Sequence, residues 1–179
     1  MTYTVISPNL AGLTPIASID AGSANANGAT LYPSLPMHEG MRVQAQDPTY
    51  GMGEFILLNG VASTTVGSLV TYDGTTYATT LAAVTANQGR PVAIAMSANT
   101  DPLKWGWYQI AGTAVVAKST GITFAATVAL GVNSTGKVGA SASGKQILGA
   151  RTANAATVAS ATTTVNVVLD RPHLQGRVS

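Results

Sequence analysis

The chain contains few side chains that could form a catalytic or metal site, and their spacing keeps them apart. Its two histidines, His38 and His173, lie near opposite ends of the chain. Acid–base catalysis and metal binding both need such groups to meet in one place. Glu39 directly follows His38, so the two side chains diverge, and no His-x-His or His-x-x-x-His pattern occurs. We therefore expect no catalytic residue, no metal ligand and no bound cofactor.

Three of the seven carboxylates stand at positions that favour turns. Asp73 precedes a glycine, and Asp47 and Asp101 each precede a proline. In such turns the Asp side chain accepts hydrogen bonds from backbone N–H groups just ahead of it. The serine-containing segment 139–144 misses the Gly-x-Ser-x-Gly hydrolase pattern because its second glycine comes one residue late. These residues therefore predict turns and not a site for nucleophilic chemistry.

The aromatic segment 105–108 is the most distinctive local feature. It places Trp105, Trp107 and Tyr108 within four residues. On a strand, alternation puts the two tryptophans on one face and Tyr108 on the other. One interpretation is a binding surface, because Trp and Tyr are enriched at interface hot spots. The other is that a small core rich in Ala and Val needs bulky side chains to fill it.

The elements that must position these residues are short β-strands. Apolar and β-branched runs are bounded by Gly, Asn or Asp, which is typical of strands. The candidate strands are 55–58, 69–72, 75–78, 91–96, 105–110, 113–117, 127–130, 146–151 and 163–169. Asp73-Gly74 predicts a hairpin with a two-residue turn. Only 80–86 and 153–159 have enough alanine to favour a helical turn or two.

Residues 1–52 differ in composition from the rest of the chain. Five of the eight prolines lie in the first 48 residues, which disfavours long helices and central strands. Apolar residues continue through the segment and need a surface to cover them. We interpret 1–52 as an extended arm that contacts a partner; the alternative is an irregular segment packed on its own domain. Its candidate interface residues are Tyr3, Val5, Ile6, Leu10, Leu13, Ile16, Leu31, Tyr32 and Leu35.

The β-region 53–170 shows signs of an internal repeat. Val128 follows Val66 by 62 residues, and Gly136 follows Gly74 by the same distance. This spacing predicts two similar modules, 53–112 and 113–170, unless Thr, Ala and Val-rich strands resemble each other by chance. Residues 171–179 form a C-terminal tail, whose His173 and Leu174 are further candidate interface residues together with Trp105, Trp107 and Tyr108. The predicted fold class is all-β, a small β-barrel or β-clip domain preceded by an extended arm.

Composition narrows the possible partners. Only 9% of the residues are charged, against roughly 25% in an average soluble protein. The net charge is +2, and the cations are scattered singly, so we expect no nucleic-acid partner. Uninterrupted apolar runs are too short for a membrane-spanning helix, so we expect no membrane partner.

Four features together resemble the capsid decoration (cement) proteins of tailed bacteriophages. They are the Pro-rich first segment, the short Gly-x-x-Val strands, the segment 89–95, and the second round of the same pattern up to 165–169. The resemblance covers about 53–170 and is one of pattern, without a diagnostic motif. It implies a β-barrel or β-clip protein on the exterior of the virion capsid, bound to the major capsid protein. It supplies no catalytic residues.

The expected function is therefore structural. The arm would bind neighbouring capsid subunits, and the protein would associate with itself as a homotrimer or a dimer. Deleting 1–35 should then remove capsid binding and leave the β-domain folded. The alternative is a phage fibre, adhesin or head-fibre base that binds a receptor or glycan through exposed Trp105, Trp107 and Tyr108. An enzyme would require His38 and His173 to meet beside a carboxylate.

Overall fold

The computed structural model describes residues 3–5, 24–25 and 39–177. Every regular element in these ranges is a β-strand. The strands are β1 (Thr4–Val5), β2 (Ala24–Asn25), β3 (Arg42–Asp47), β4 (Gly51–Asn59), β5 (Leu69–Tyr72), β6 (Thr79–Leu81), β7 (Val92–Ala95), β8 (Lys104–Ala117), β9 (Ala129–Ser134), β10 (Lys137–Ala140), β11 (Gln146–Thr152) and β12 (Thr164–Leu174). Among these described ranges, no helix is long and apolar enough to cross a membrane.

The strands form one curled antiparallel sheet. Its main order is β1-β3-β4-β8-β12-β11-β9-β10, while β7 pairs with β8 and continues through β5 to β6. The sheet has the shape of a half-barrel, which confirms the predicted all-β, small-barrel fold class. The segments 80–86 and 153–159, where alanine favoured helical turns, contain no helix. Tertiary pairing has overridden local helix propensity there.

The same pairing pattern occurs twice along the chain. In β5–β8, β5 pairs with β6 and β7, and β7 pairs with β8. In β9–β12, β9 pairs with β10 and β11, and β11 pairs with β12. The last strands of the two sets, β8 and β12, pair with each other. Two four-strand units of equal connectivity are therefore joined through their final strands.

The boundaries of the predicted modules do not match these units. The division at 112/113 falls inside β8, which is one strand of 14 residues where two were predicted. Gly112 has a φ of +90° and lets the chain bend without leaving the sheet. The predicted tail, 171–179, begins inside the sheet. Strand β12 continues to Leu174, which pairs with Ile147.

The predicted arm is wrong in its last part. Residues 42–47 form β3, which pairs with β4 from Arg42↔Ile56 to Asp47↔Gly51. The predicted boundary at 52/53 therefore lies within a hairpin. The burial of β3 alternates strictly along the strand, so it is an ordinary half-buried strand despite the nearby prolines.

The hairpin predicted at Asp73-Gly74 exists but has a longer loop. Its innermost strand pair is Tyr72↔Thr79, so residues 73–78 form the connection. Asp73 organises this loop, because its Oδ1 accepts hydrogen bonds from the backbone N–H groups of Thr75 and Thr76 at 2.8 Å each. The residues predicted as the second strand, 75–78, are therefore loop.

In the described ranges, the buried apolar residues form three clusters. The largest lies between the two units and takes residues from both, including Leu69, Ile94, Val132 and Ile147. A second contains Tyr3, Phe55, Leu57 and Trp107, and a third contains Ile56, Leu58 and Tyr108. Alternate residues of β4 thus enter the second and third clusters, so β4 and β8 separate two layers of core.

Candidate interaction surface

Tyr3 attaches the N-terminus of the chain to the core. Its side chain is completely buried, and its ring meets the Phe55 ring edge-on with centroids 4.8 Å apart. The hydroxyl donates a hydrogen bond of 2.7 Å to the carbonyl of Thr113. Tyr3 therefore buries an apolar ring, and the hydroxyl at the end of that ring has a hydrogen-bond partner. Tyr3 was predicted to contact a partner, but the structure places it in the core.

Gln109 completes the Tyr3 site, and sequence reasoning did not identify it. It is fully buried in β8, next to a register shift where Glu54 pairs with Ala111 and Phe55 with Gln109. Its Nε2 donates to the carbonyls of Ala111 at 3.1 Å and Thr113 at 3.0 Å. The Nε2 is also 3.4 Å from the Tyr3 hydroxyl. In the irregular stretch of β8, the carbonyls of Ala111 and Thr113 therefore accept hydrogen bonds from the side chains of Gln109 and Tyr3.

The buried phenol of Tyr3 stays protonated over the physiological range. Burial raises the pKa of Tyr3 to about 12, and the hydrogen bond with Gln109 only partly opposes this effect. A neutral hydroxyl is required for the bond that Tyr3 donates to Thr113. The site is therefore a stable structural attachment at neutral pH.

Two short strands attach the N-terminal segment to the sheet. In β1, Thr4 pairs with Gln46 and Val5 with Ala45 of β3. In β2, Ala24 pairs with Trp105 and Asn25 with Lys104 of β8. The described part of the segment thus packs on its own domain, which was the alternative to an arm held only by a partner. The remaining predicted arm residues, Ile6, Leu10, Leu13, Ile16, Leu31, Tyr32 and Leu35, lie outside the described residues, as does His38.

The aromatic segment is mostly core. Trp107 and Tyr108 are only 4% and 1% exposed and belong to the two clusters on opposite sides of β8. The predicted alternation is therefore confirmed, whereas the interface role predicted for these two residues is wrong. A strand paired on both edges and covered on both faces leaves no surface for them. Trp105 is partly buried, and its Nε1 donates to Glu39 Oε1 at 3.1 Å.

Tyr108 forms a second buried tyrosine site. Its hydroxyl donates to the carbonyl of Asn59 at 3.2 Å. Burial raises the pKa of Tyr108 to about 12, with hydrogen bonds from Thr79 and Asn99 acting in the opposite direction. The ring lies among Ile56, Leu58 and other members of the third cluster. This residue stabilises the core and is not available to a ligand.

The two C-terminal candidates have different environments. His173 is exposed on β12, where it pairs with Leu148 of β11 and bridges to Pro91. Leu174 is 2% exposed and belongs to the core shared by both units. Leu174 was predicted at an interface, but it is a core residue because β12 continues beyond the expected end of the domain. Of these two residues, only His173 is exposed and can contact another protein.

Lys118 is a buried cation that the sequence did not single out. It is 1% exposed, and its Nζ donates to the carbonyls of Ser119, Ser160 and Thr162 at 3.1, 3.2 and 3.1 Å. An ammonium group has three donors, so all of them are used. The Phe124 ring lies 5.9 Å below the nitrogen. Lys118 therefore joins the end of β8 to the turn that precedes β12.

The turn roles predicted for three aspartates are confirmed. Besides Asp73, Asp47 Oδ1 accepts from the N–H groups of Thr49 and Tyr50, and Asp101 Oδ1 accepts from that of Leu103. Within residues 3–5, 24–25 and 39–177, no group of three or more His, Asp or Glu side chains could hold a metal ion. 

Comparison with known proteins gives a single result. No family model, curated protein or solved structure matches this chain.

Proposed function

We propose that this protein is a capsid decoration (cement) protein of a tailed bacteriophage, which binds the outside of the head and stabilises contacts between major capsid protein subunits. The role involves surface contact and no catalysis. The sequence pattern of the β-domain supports it, as does the low content of charged residues. The expected location is the exterior of the virion capsid.

The observation that supports this role best is the attachment of the N-terminal segment at two separate places. β1 pairs with β3 and inserts Tyr3 into the core, while β2 pairs with β8. The apolar residues of 6–23 are therefore linked at both ends to a rigid sheet. A partner that binds them also holds the folded domain, and contacts at several identical sites add avidity.

The burial of Trp107 and Tyr108 weighs against the fibre or adhesin alternative. That function needed an exposed aromatic surface for a sugar or receptor. Of the three aromatic residues in segment 105–108, only Trp105 is partly exposed, and its indole N–H already donates to Glu39. We therefore favour the capsid role.

The first experiment measures copy number. Phage particles that contain this protein are disassembled gently and their components are quantified by mass spectrometry. A copy number comparable to that of the major capsid protein is expected for a decoration protein. A dozen copies or fewer would indicate a fibre or vertex protein instead. Analytical ultracentrifugation of the purified chain distinguishes the proposed homotrimer from a dimer.

A second experiment tests the N-terminal segment without disturbing its attachment. Deleting 1–35 would also remove Tyr3, so loss of binding could reflect a damaged core. We instead propose the triple variant Leu10→Ser, Leu13→Ser, Ile16→Ser, which retains Tyr3 and both short strands. The matched control is Thr14→Ala, Ser18→Ala in the same segment. We expect the triple variant alone to lose binding to purified heads, with an unchanged melting temperature; undiminished binding would contradict the proposal.

The low charge of the chain limits the number of ion pairs that can contribute to this binding. Apolar contacts depend little on ionic strength, whereas exposed ion pairs are screened by salt. We expect the protein to remain on heads at high salt. Release by moderate salt would indicate an electrostatic attachment.

A further inference from the structure

Three charged side chains, one each from β3, β4 and β12, meet at a surface groove. Glu54 Oε1 lies 3.6 Å from Arg42 Nη1, and Glu54 Oε2 accepts a 3.0 Å hydrogen bond from Arg171 Nη2. The groove has a volume of about 200 Å³ and is also lined by Val43 and Gln44. The side chains of Arg42 and Arg171 are 50% and 65% exposed, while that of Glu54 is 16% exposed.

This convergence is unusual in a chain with so little charge. Lys, Arg, Asp and Glu together make up only 9% of the sequence. In the described ranges, the third ion pair, Lys104–Asp101, joins residues three positions apart. The other two, one within the β3–β4 hairpin and one between β4 and β12, share Glu54. Among the described residues, the ion pairs between strands therefore meet at one place.

Both Glu54 and Arg171 lie at irregularities of the sheet. The register between β4 and β8 shifts directly after Glu54, and that between β11 and β12 shifts opposite residues 170–172. Arg171 also has a φ of +42°, a backbone conformation that a non-glycine residue adopts at a cost. Bulges redirect side chains and are enriched near functional sites. Here two of them direct opposite charges into the same groove.

The groove has unused capacity for a second carboxylate. Each guanidinium has five N–H donors, so the two arginines have more donors than the single carboxylate of Glu54 can accept. Their combined charge exceeds that of Glu54 by one positive unit. Glu54 accepts a hydrogen bond from Arg171 and forms a looser ion pair with Arg42, and one positive charge remains in excess.

We propose that this groove binds an acidic side chain, Asp or Glu, of a partner protein. One carboxylate neutralises the excess charge, and its planar geometry matches the fork of a guanidinium. A carboxylate matches the single excess positive charge, whereas a phosphate group, at about −1.5 to −2 at neutral pH, would leave the groove with a net negative charge. In the proposed function, on which this inference rests, the partner is the capsid subunit. The groove then fixes the orientation of the protein, while the apolar segment supplies most of the affinity.

The first test uses a small probe and the full chain. Arginine side-chain NMR signals, together with the backbone amide signals of Val43 and Gln44 that remain in every variant, are followed while a blocked tri-glutamate peptide is added, with inorganic phosphate in a parallel titration. We expect the peptide to shift the Arg42 and Arg171 signals. The same response is expected in the control variant Arg151→Gln, which removes an exposed arginine of β11, whereas Arg42→Gln, Arg171→Gln should bind at least about fivefold more weakly. Equal shifts at Arg151, no shifts, or tighter binding of phosphate would overturn the proposal.

The second test separates the groove from the proposed function. Binding of the same variants to purified heads is measured at low salt. We expect the double variant to bind about fivefold more weakly than wild type and the Arg151→Gln control to bind normally. If the protein is absent from phage heads but the peptide still binds, the function is wrong and the groove stands. If heads bind all variants equally, the groove proposal is wrong and the function stands.

Discussion

At the residue scale, Tyr3 shows how one side chain can fix the start of a chain. Its aromatic ring adds apolar area to the core, and its hydroxyl donates a hydrogen bond to a backbone carbonyl in the irregular part of β8. The hydroxyl meets Thr113, and Gln109 supplies further donors to the same stretch. Because the two-residue strand β1 has little pairing of its own, the stability of this attachment depends on Tyr3.

Replacing Tyr3 by Phe removes only the hydroxyl. The ring still packs on Phe55, but the bond to Thr113 is lost in a buried place. Because Gln109 still donates to the Thr113 carbonyl, we expect the free energy of unfolding to fall by about 0.5–1.5 kcal/mol, measured by urea denaturation. The control is Thr4→Ala, which changes an exposed neighbour on β1. A Tyr3→Phe variant as stable as wild type would mean that the hydroxyl contributes nothing.

The buried tyrosines also predict a loss of stability at high pH. In the unfolded chain the phenol of Tyr108 ionises near pH 10, but in the folded protein its pKa is about 12. The unfolded state therefore loses its proton first, so stability is full below pH 10 and decreases as the pH rises towards 12. Tyr3 acts in the same direction.

Urea denaturation between pH 8 and pH 12 checks this effect. Compared with wild type, Tyr108→Phe should have a smaller decrease in stability over that range, and Tyr3→Phe, Tyr108→Phe a smaller one still. If the free energy of unfolding decreased equally with pH in all three proteins, the raised pKa values of Tyr3 and Tyr108 would be contradicted.

At the scale of elements, β8 determines the architecture of the sheet. Its first part pairs with β4, and within that part Tyr108 and Gln109 also pair with β7, whereas its last part pairs with β12. Gly112 lies where these partners change. A Cβ atom there would come within 2.2 Å of the carbonyl oxygen of Met52 in the neighbouring strand. The close approach and the positive φ both require glycine.

Three Gly→Ala substitutions separate these two requirements. At Gly74, where space is open and φ is not positive, the free energy of unfolding should change by less than about 0.5 kcal/mol. At Gly121, where φ is +82° and space is open, we expect a loss of about 1–2 kcal/mol. At Gly112 the contact with Met52 adds to the backbone cost, for a loss of about 3 kcal/mol or more. Urea denaturation measures all three, and equal losses at Gly112 and Gly121 would exclude the steric part.

At the scale of the whole molecule, the two four-strand units share one core. The largest cluster takes Leu69 and Ile94 from one unit and Val132 and Ile147 from the other. The pairing of β8 with β12 covers seven residue pairs and connects the units along their longest strands. Neither unit can bury its apolar face without the other.

Unfolding should therefore occur in a single cooperative transition. Differential scanning calorimetry of the full chain should give a van't Hoff enthalpy equal to the calorimetric enthalpy. A fragment that ends at residue 112 should not fold, because the cut divides β8 and exposes the shared core. Two separate transitions would show that the units are independent domains.

The sequence by itself determined the fold class and most strands of the domain. Alternating β-branched and apolar residues bounded by Gly, Asn and Asp are local features, and they predicted β5 at its observed bounds, Leu69–Tyr72. The alternation in segment 105–108 correctly placed Trp107 and Tyr108 on opposite faces of one strand. The spacing of Val66 and Val128 predicted an internal repeat; the structure repeats a pairing pattern in β5–β8 and β9–β12, with boundaries other than the predicted ones.

Only the tertiary structure decided which apolar residues face the core and which charges meet. Tyr3 and Leu174 look like arm and tail residues, yet strands far away in the chain bury them. The grouping of Arg42, Glu54 and Arg171 depends on the registers of strands β3, β4, β8 and β12, which local periodicity does not specify. Burial and charge pairing are properties of the packed sheet, because residues distant in sequence become neighbours only after the strands have paired.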